Sequence, residues 1–132
     1  MAISATGAGD VDGPVGTAQF SLYGGIEVSA DETKIYVTDF THGTSSGNKV
    51  KLLTNNTITT IAGKTGLSDG EGDAMNVGFK LLTCTLLDKS GGLYIADGFN
   101  GKINYPHGMV WDSKDNMFIS NASKKIKKLT ID

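Results

Sequence analysis

The sequence lacks features on which several classes of protein depend. It has one cysteine, Cys84, in 132 residues, so an intramolecular disulfide is excluded and nothing in the chain requires an oxidising compartment. No apolar run approaches the roughly 20 residues of a membrane-spanning helix, and the N-terminus lacks the charged-then-apolar pattern of a signal peptide. We therefore predict neither a transmembrane segment nor a signal peptide, and the sequence leaves the compartment open.

An excess of charge is also missing. The chain has 12 Lys and Arg residues against 14 Asp and Glu residues, a formal net charge of −2. This balance disfavours nucleic acid and anionic membranes as partners. The one basic cluster, at residues 124–128, alternates as a strand does, and lysines on an outer strand discourage pairing between sheet edges. The sequence therefore predicts no basic face for RNA.

Proline is scarce and glycine is abundant, with 2 and 18 residues respectively. Such a composition is typical of short strands joined by tight turns. The chain also repeats itself, and a repeat decides the fold class before any single residue does. The most similar segments are residues 35–39 (IYVTD), 93–97 (LYIAD) and 117–121 (MFISN), each preceded by a second aligned segment at 22–28, 81–87 and 105–111.

The repeats predict an all-β chain without helices. The alternation of residues and the polar turns between them favour antiparallel hairpins. We expect strands over residues 25–29, 34–39, 49–53, 57–62, 83–88, 92–97, 108–112, 116–120 and 125–131. The spacing between the second and third copies is constant across both strands, so the second copy is shortened only after Ile103.

The repeats resemble those of the NHL family of β-propellers. The motifs that carry the resemblance in the first copy are Asp12-Gly13 before Phe20, then Tyr23-Gly24-Gly25-Ile26, Tyr36-Val37-Thr38-Asp39 and Asn48-Lys49-Val50. The resemblance implies blades of four antiparallel strands, here a single segment over 1–132 with repeats at about 8–63, 64–103 and 104–132, the second truncated. The sequence departs from the pattern at Cys84, which replaces a glycine, and at residues 42–46, which form an insertion.

Propellers of this family typically have six blades, so the resemblance implies about half a ring. Blades bury their faces against their neighbours, and an open ring leaves two apolar faces in water. Three outcomes remain open. Two copies form a homodimer that completes a six-bladed ring, with residues 2–6 completing a blade of the other chain; the chain is a fragment or lacks a segment after Ile103; or the short blade rearranges into an open sandwich.

Three equivalent positions hold Asp39, Asp97 and Asn121, each at the end of a second strand. A carboxylate there can accept hydrogen bonds from turn amides, which is a structural role repeated once per blade. The alternative is a ring of carboxylates that holds a cation. The segments at 10–13 and 69–73 superficially resemble calcium loops, but neither places its ligands at the spacing that an EF-hand needs.

The two histidines, His42 and His107, could bind zinc or calcium together with Asp39 or Asp97. Peptide-amidating lyases, which are relatives of this propeller class, bind metal in their channel, so the resemblance leaves a metal-dependent lyase or hydrolase as the alternative function. The simpler interpretation is that both histidines lie in solvent and that no cofactor is bound. We predict no catalytic residue, since no nucleophile and base occur at a suitable spacing.

The leading hypothesis is a non-enzymatic binding module that presents propeller loops to a protein or a small molecule. Aromatic residues at turns and strand ends, where side chains can anchor a partner, are the best hint. The predicted ligand-binding residues are Phe40, His42, Phe99, Asn100 and His107. Trp111 also lies at a strand end, but it aligns with Val28 and Leu87, which favours a place in the core.

Overall fold

The computed structural model describes residues 8–21, 23–40, 48–64, 72–98, 105–122 and 125–130. Across these ranges the chain is all-β and contains no helix, which confirms the predicted class. In the same ranges, no helix that could cross a membrane was found. The strands are β1 (Gly13–Pro14), β2 (Tyr23–Val28), β3 (Ile35–Asp39), β4 (Lys49–Thr54), β5 (Thr57–Ala62), β6 (Leu82–Leu87), β7 (Leu93–Asp97), β8 (Pro106–Trp111), β9 (Asn116–Asn121) and β10 (Lys125–Thr130).

The described strands form three antiparallel sheets. The first has the order β1-β5-β4-β3-β2, the second consists of β6 and β7, and the third has the order β10-β9-β8. Every pair of neighbouring strands is antiparallel. The nine longer strands lie where the sequence predicts them, whereas the two-residue β1 was not predicted.

Each sheet contains one hairpin of the same register. Val28 pairs with Ile35, Leu87 with Leu93, and Trp111 with Met117. Each hairpin also has an irregularity near the start of its first strand, between residues 23 and 26, 82 and 84, and 106 and 108. Aligned sequence positions therefore occupy equivalent places on the three hairpins, and a bulge is part of the repeat.

Side chains alternate between the two faces of a strand, so each hairpin has two faces. We call the face that carries Val28, Leu87 or Trp111 the front face, and the face that carries Glu27, Leu86 or Val110 the back face. The front face of the second sheet packs against the back face of the first, where Val50, Ala62 and Leu82 are buried with Leu93 and Ile95 against them.

The same arrangement recurs at the next junction. Met117 and Ile119, on the front face of the third sheet, are buried together with Leu86 on the back face of the second. The first strands β2, β6 and β8 pack against one another in that order. The three sheets are thus stacked front to back, with β6 in the middle.

The segment before β2 covers part of the front face of the first sheet. Ala18 and Phe20 are buried with Val37 and Ile58. Short β1 extends the sheet by pairing with β5, which fixes the segment at the edge. The cover does not reach the end of β2, where Ile26 and Val28 are 63% and 50% exposed.

Candidate functional site

The hairpin turns at one end of the sheets are held by aspartates. An oxygen of Asp88 accepts hydrogen bonds from the backbone amides of Ser90 and Gly92, both at 2.8 Å. Asp112 does the same for Lys114 and Asn116, at 2.8 and 2.9 Å. These are turns in which a carboxylate replaces a backbone acceptor. They hold the turn backbone in place at the second and third sheets.

The turn of the first sheet uses Asp31. Its carboxylate accepts hydrogen bonds from the Ser29 hydroxyl and from the amide and hydroxyl of Thr33. These bonds favour the charged form and lower the pKa of Asp31 to about 2. Hydrogen bonds from Ser90 and from neighbouring turn amides likewise lower the pKa of Asp88. The turns of the first and second sheets therefore present carboxylates that stay ionised near neutral pH.

Two clefts open between these turns, one at each sheet junction. The larger cleft, of about 420 Å³, separates the turn of the first sheet from that of the second. The smaller cleft, of about 240 Å³, separates the second turn from the third. The turn at residues 88–90 lines both, so the two clefts adjoin. We refer to them below as the larger and the smaller cleft.

The two clefts are built from equivalent positions. Tyr36 lines the larger cleft and Tyr94 the smaller one, and both lie on the back face at the same register position. Across from each tyrosine stands a residue of the next front face, Leu87 or Trp111. Each junction therefore places an aromatic side chain beside polar turn residues.

Trp111 is fixed within the smaller cleft. Its indole N–H donates a hydrogen bond to the carbonyl oxygen of Leu87 at 2.9 Å. Its ring meets that of Tyr94 edge to face, with centroids 5.3 Å apart and planes at 82°. Trp111 also packs against the buried Leu86, Met117 and Ile119, so the expectation that it contributes to the core is met in part.

Charges of both signs surround the smaller cleft. The ammonium of Lys89 lies 2.7 Å from a carboxylate oxygen of Asp115, and both side chains are mostly exposed. An exposed pair of this kind stabilises a protein by about 0–1 kcal/mol. A ligand can therefore displace Lys89 or Asp115 from the other at little cost.

A separate charged cluster lies at residues 10–13, one of the segments that resemble a calcium loop. Lys51, whose side chain has no exposed surface, lies 2.9 Å from both Asp10 and Asp12, and Lys49 pairs with Asp10. Asp12 also accepts a hydrogen bond from the amide of Thr60. The two carboxylates already bind ammonium groups, so this cluster attaches the segment before β2 to the sheet.

The predicted carboxylates lie at the opposite end of the sheets from the turns. Asp39 is buried and accepts a hydrogen bond from the amide of Ser21 at 2.8 Å. Asp97 accepts bonds from the amides of Lys80 and Leu81 at 3.0 and 2.8 Å. Both aspartates thus bind the backbone just before the first strand of their own sheet, which is the structural role that the sequence suggested.

The other predicted site residues lie only partly within the described ranges. His42, Phe99 and Asn100 lie outside the described residues, as does most of residues 69–73. His107 is exposed on β8, and Phe40 is half-buried against the core between the first and second sheets. Among the described residues, no group of three His, Cys, Asp or Glu side chains is arranged to hold a metal ion.

The single thiol is placed in the interior. Cys84 is buried on β6, and burial raises its pKa although a hydrogen bond from Thr83 opposes the shift. A thiol in an apolar setting is mostly protonated and poorly nucleophilic. Cys84 therefore has the setting of an inert thiol.

Comparison with known proteins supports the fold alone. No family model matches the sequence, and no curated protein matches it. The chain is similar to a solved structural genomics protein of unknown function from Bacteroides thetaiotaomicron VPI-5482, with a TM-score of 0.56 and 21% sequence identity. The match covers 96% of this chain and 26% of that chain, so this chain spans about a quarter of that protein's length.

Proposed function

We propose that the chain is a segment of an NHL-type β-propeller and that its three sheets are successive blades. Two observations support this architecture. The first strand of the middle sheet, β6, packs against both β2 and β8, as neighbouring inner strands around an axis would. The front face of one sheet covers the back face of the preceding one at both junctions.

We propose further that the segment is a non-enzymatic binding module and that it binds small ligands in the clefts at the turn end. The observation that carries this proposal is that the two adjoining clefts repeat the same design, with Tyr36 and Tyr94 at equivalent positions. Pockets that bind small molecules combine an apolar wall with a few fixed polar groups. Both clefts have this composition.

The chemistry of the clefts indicates the kind of ligand. Tyr94 and Trp111 offer ring surface to an apolar face of the ligand, while Asp88, Lys89 and Ser90 offer hydrogen-bonding groups. A saccharide, with C–H faces and hydroxyl edges, has this combination of surfaces. The proposal therefore favours the turn end over the end that holds Asp39 and His107.

The sole tryptophan of the chain, Trp111, makes the test direct because its fluorescence reports on the smaller cleft. A panel of monosaccharides and disaccharides would be titrated against the protein while tryptophan emission is recorded. We expect at least one sugar to change the emission saturably. Tyr94→Ala should weaken that response at least tenfold, about 1.4 kcal/mol, because the opposite wall is removed.

Tyr105→Ala serves as the matched control, since Tyr105 is an exposed tyrosine before β8, at the other end of the hairpin. It should leave the response unchanged. A panel without any saturable response, or equal effects of Tyr94→Ala and Tyr105→Ala, would refute binding of saccharides at the turn end.

A further inference from the structure

Among the described residues, each outer sheet exposes aliphatic side chains on one face, at positions where the middle sheet is covered. On the front face of the first sheet, Ile26 and Val28 are 63% and 50% exposed. On the back face of the third sheet, Val110 is 59% exposed. The equivalent residues of the middle sheet, Thr85, Leu87 and Leu86, are buried or half-buried. Exposed aliphatic residues at matching positions indicate surfaces that a partner covers.

The chain itself contains the interface that these two faces would make. At the junction of the second and third sheets, Leu86 of a back face is buried against Met109 and Trp111 of a front face. By register, Val110 holds the position of Leu86, while Ile26 and Val28 hold those of Met109 and Trp111. The open back face and the open front face are therefore complementary versions of a contact already present.

From this equivalence we propose that a second copy of the chain covers both open faces, so that the back face of each third sheet packs on the front face of the partner's first sheet. A contact between two different faces propagates head to tail unless it closes. The ring rests on the propeller architecture proposed above, in which six sheets close the circle, so two copies with three sheets each close with two identical contacts. The inference is independent of any ligand and extends an interface that the fold already uses.

The association would also create a new cleft at each of its two contacts. At the new junction, Phe118 would take the place of Tyr94, because Phe118 pairs with Val110 as Tyr94 pairs with Leu86. Val28 of the other copy would take the place of Trp111. The cleft would therefore be lined from two chains and would exist only in the dimer.

Sedimentation velocity across a concentration series tests the proposal. We expect the wild-type chain to approach twice its mass of 13.8 kDa. Val110→Glu should raise the dissociation constant at least about 100-fold, because it places an unpaired charge in an apolar contact. Val28→Lys should do the same from the other side. Met75→Glu, at an exposed methionine in the segment between the first and second sheets, is the matched control and should not alter the mass.

Mixing the two variants gives the decisive result. In a mixed dimer one contact is native, and the other brings the introduced glutamate opposite the introduced lysine. Equimolar Val110→Glu and Val28→Lys should therefore dimerise although neither does so alone, and this recovery shows that both variants are folded. A wild-type chain that stays monomeric, a dimer that neither variant weakens, open polymers, or failure of the mixture to recover would each overturn the proposal.

Discussion

A side chain at Gly25 would begin 2.6 Å from the backbone nitrogen of Thr85 and 2.8 Å from the Cα of Cys84. The first and second sheets therefore meet at a distance that only glycine permits. Gly25→Ala should destabilise the protein by about 1–3 kcal/mol, because backbone atoms must move apart. Urea denaturation measures the change.

The third sheet offers a matched control at the equivalent position. A Cβ on Gly108 would meet nothing closer than the Ser120 hydroxyl at 3.5 Å, which is ordinary contact. In the Val110→Glu background, which keeps the chain monomeric, Gly108→Ala should therefore remain within about 0.5 kcal/mol of its parent. Equal losses at Gly25 and Gly108 would argue against the close junction.

The thiol of Cys84 provides a second measure of the same junction. Because burial protects it and raises its pKa, we expect a thiol reagent to modify the native protein much more slowly than the denatured one. In Gly25→Ala the modification should be faster, since the sheets separate beside Cys84. Rapid modification of the native wild type would contradict its placement in the core.

The pair of rings in the smaller cleft should be measurable as a coupling energy. Trp111→Phe removes the hydrogen bond to the Leu87 carbonyl and should cost about 1–2 kcal/mol of stability. A double-mutant cycle of Tyr94→Leu and Trp111→Leu should give a coupling of about 0.5–1.5 kcal/mol for the edge-to-face contact. Additive effects would mean that the rings do not interact.

The ion cluster at Lys51 should respond asymmetrically to substitution. Asp12→Ala leaves the buried ammonium with fewer partners and should cost about 1–2 kcal/mol. Lys51→Met removes that charge and should cost less, because an apolar chain of similar length suits the contact with Phe20. Asp73→Ala, an exposed aspartate, is the control. Urea denaturation of the three variants measures the losses, and a larger loss for Lys51→Met than for Asp12→Ala would contradict this expectation.

The same cluster should make stability depend on pH. Burial opposes ionisation of Asp10 and Asp12, but hydrogen bonds outweigh this effect. Asp10 accepts them from Lys49 and Lys51, and Asp12 from Thr60 and Lys51. The pKa of each carboxyl therefore lies below 3.8. Their contribution is present above pH 3.8 and is lost as the pH falls through the lowered values. The urea concentration at the unfolding midpoint should therefore decrease as the pH is lowered below about 4.

At high pH the contribution of Lys51 to stability changes in the opposite direction. Burial opposes the charged form of Lys51, but its bonds to Asp10 and Asp12 prevail and raise its pKa above 10.5. Its contribution is present below pH 10.5 and is lost as the pH rises through the raised value. A double variant of Asp10→Asn and Asp12→Asn should weaken the pH dependence of stability at both the acidic and the basic end. An unchanged pH dependence would contradict this account.

The sequence predicted the nine longer strands because the repeat carries the alternation of each hairpin and the polar residues of each turn. It did not predict β1, since Gly13 and Pro14 join a sheet only through the edge that β5 offers. Such a pairing depends on tertiary placement and leaves no local pattern.

The candidate site was harder to predict. Attention to aspartates and histidines led to the end of the sheets with Asp39 and His107, whereas the clefts lie at the turn end. Tyr36 and Tyr94 occur at equivalent positions of the repeats, but a recurring tyrosine is equally typical of a core residue. Only the stacking of sheets shows that each tyrosine stands beside the next turn, which is a relation between segments far apart in sequence.

The shared register of the three hairpins separates what the stack needs from what each cleft presents. Residues that hold the sheets together lie along the strands, while residues that line the clefts lie largely in the turns. Substitutions in a turn can thus change which ligand its cleft binds without disturbing the packing of the sheets. Duplicating one hairpin would add a new recognition unit, and lineages could acquire specificities by gene duplication instead of by redesigning a core.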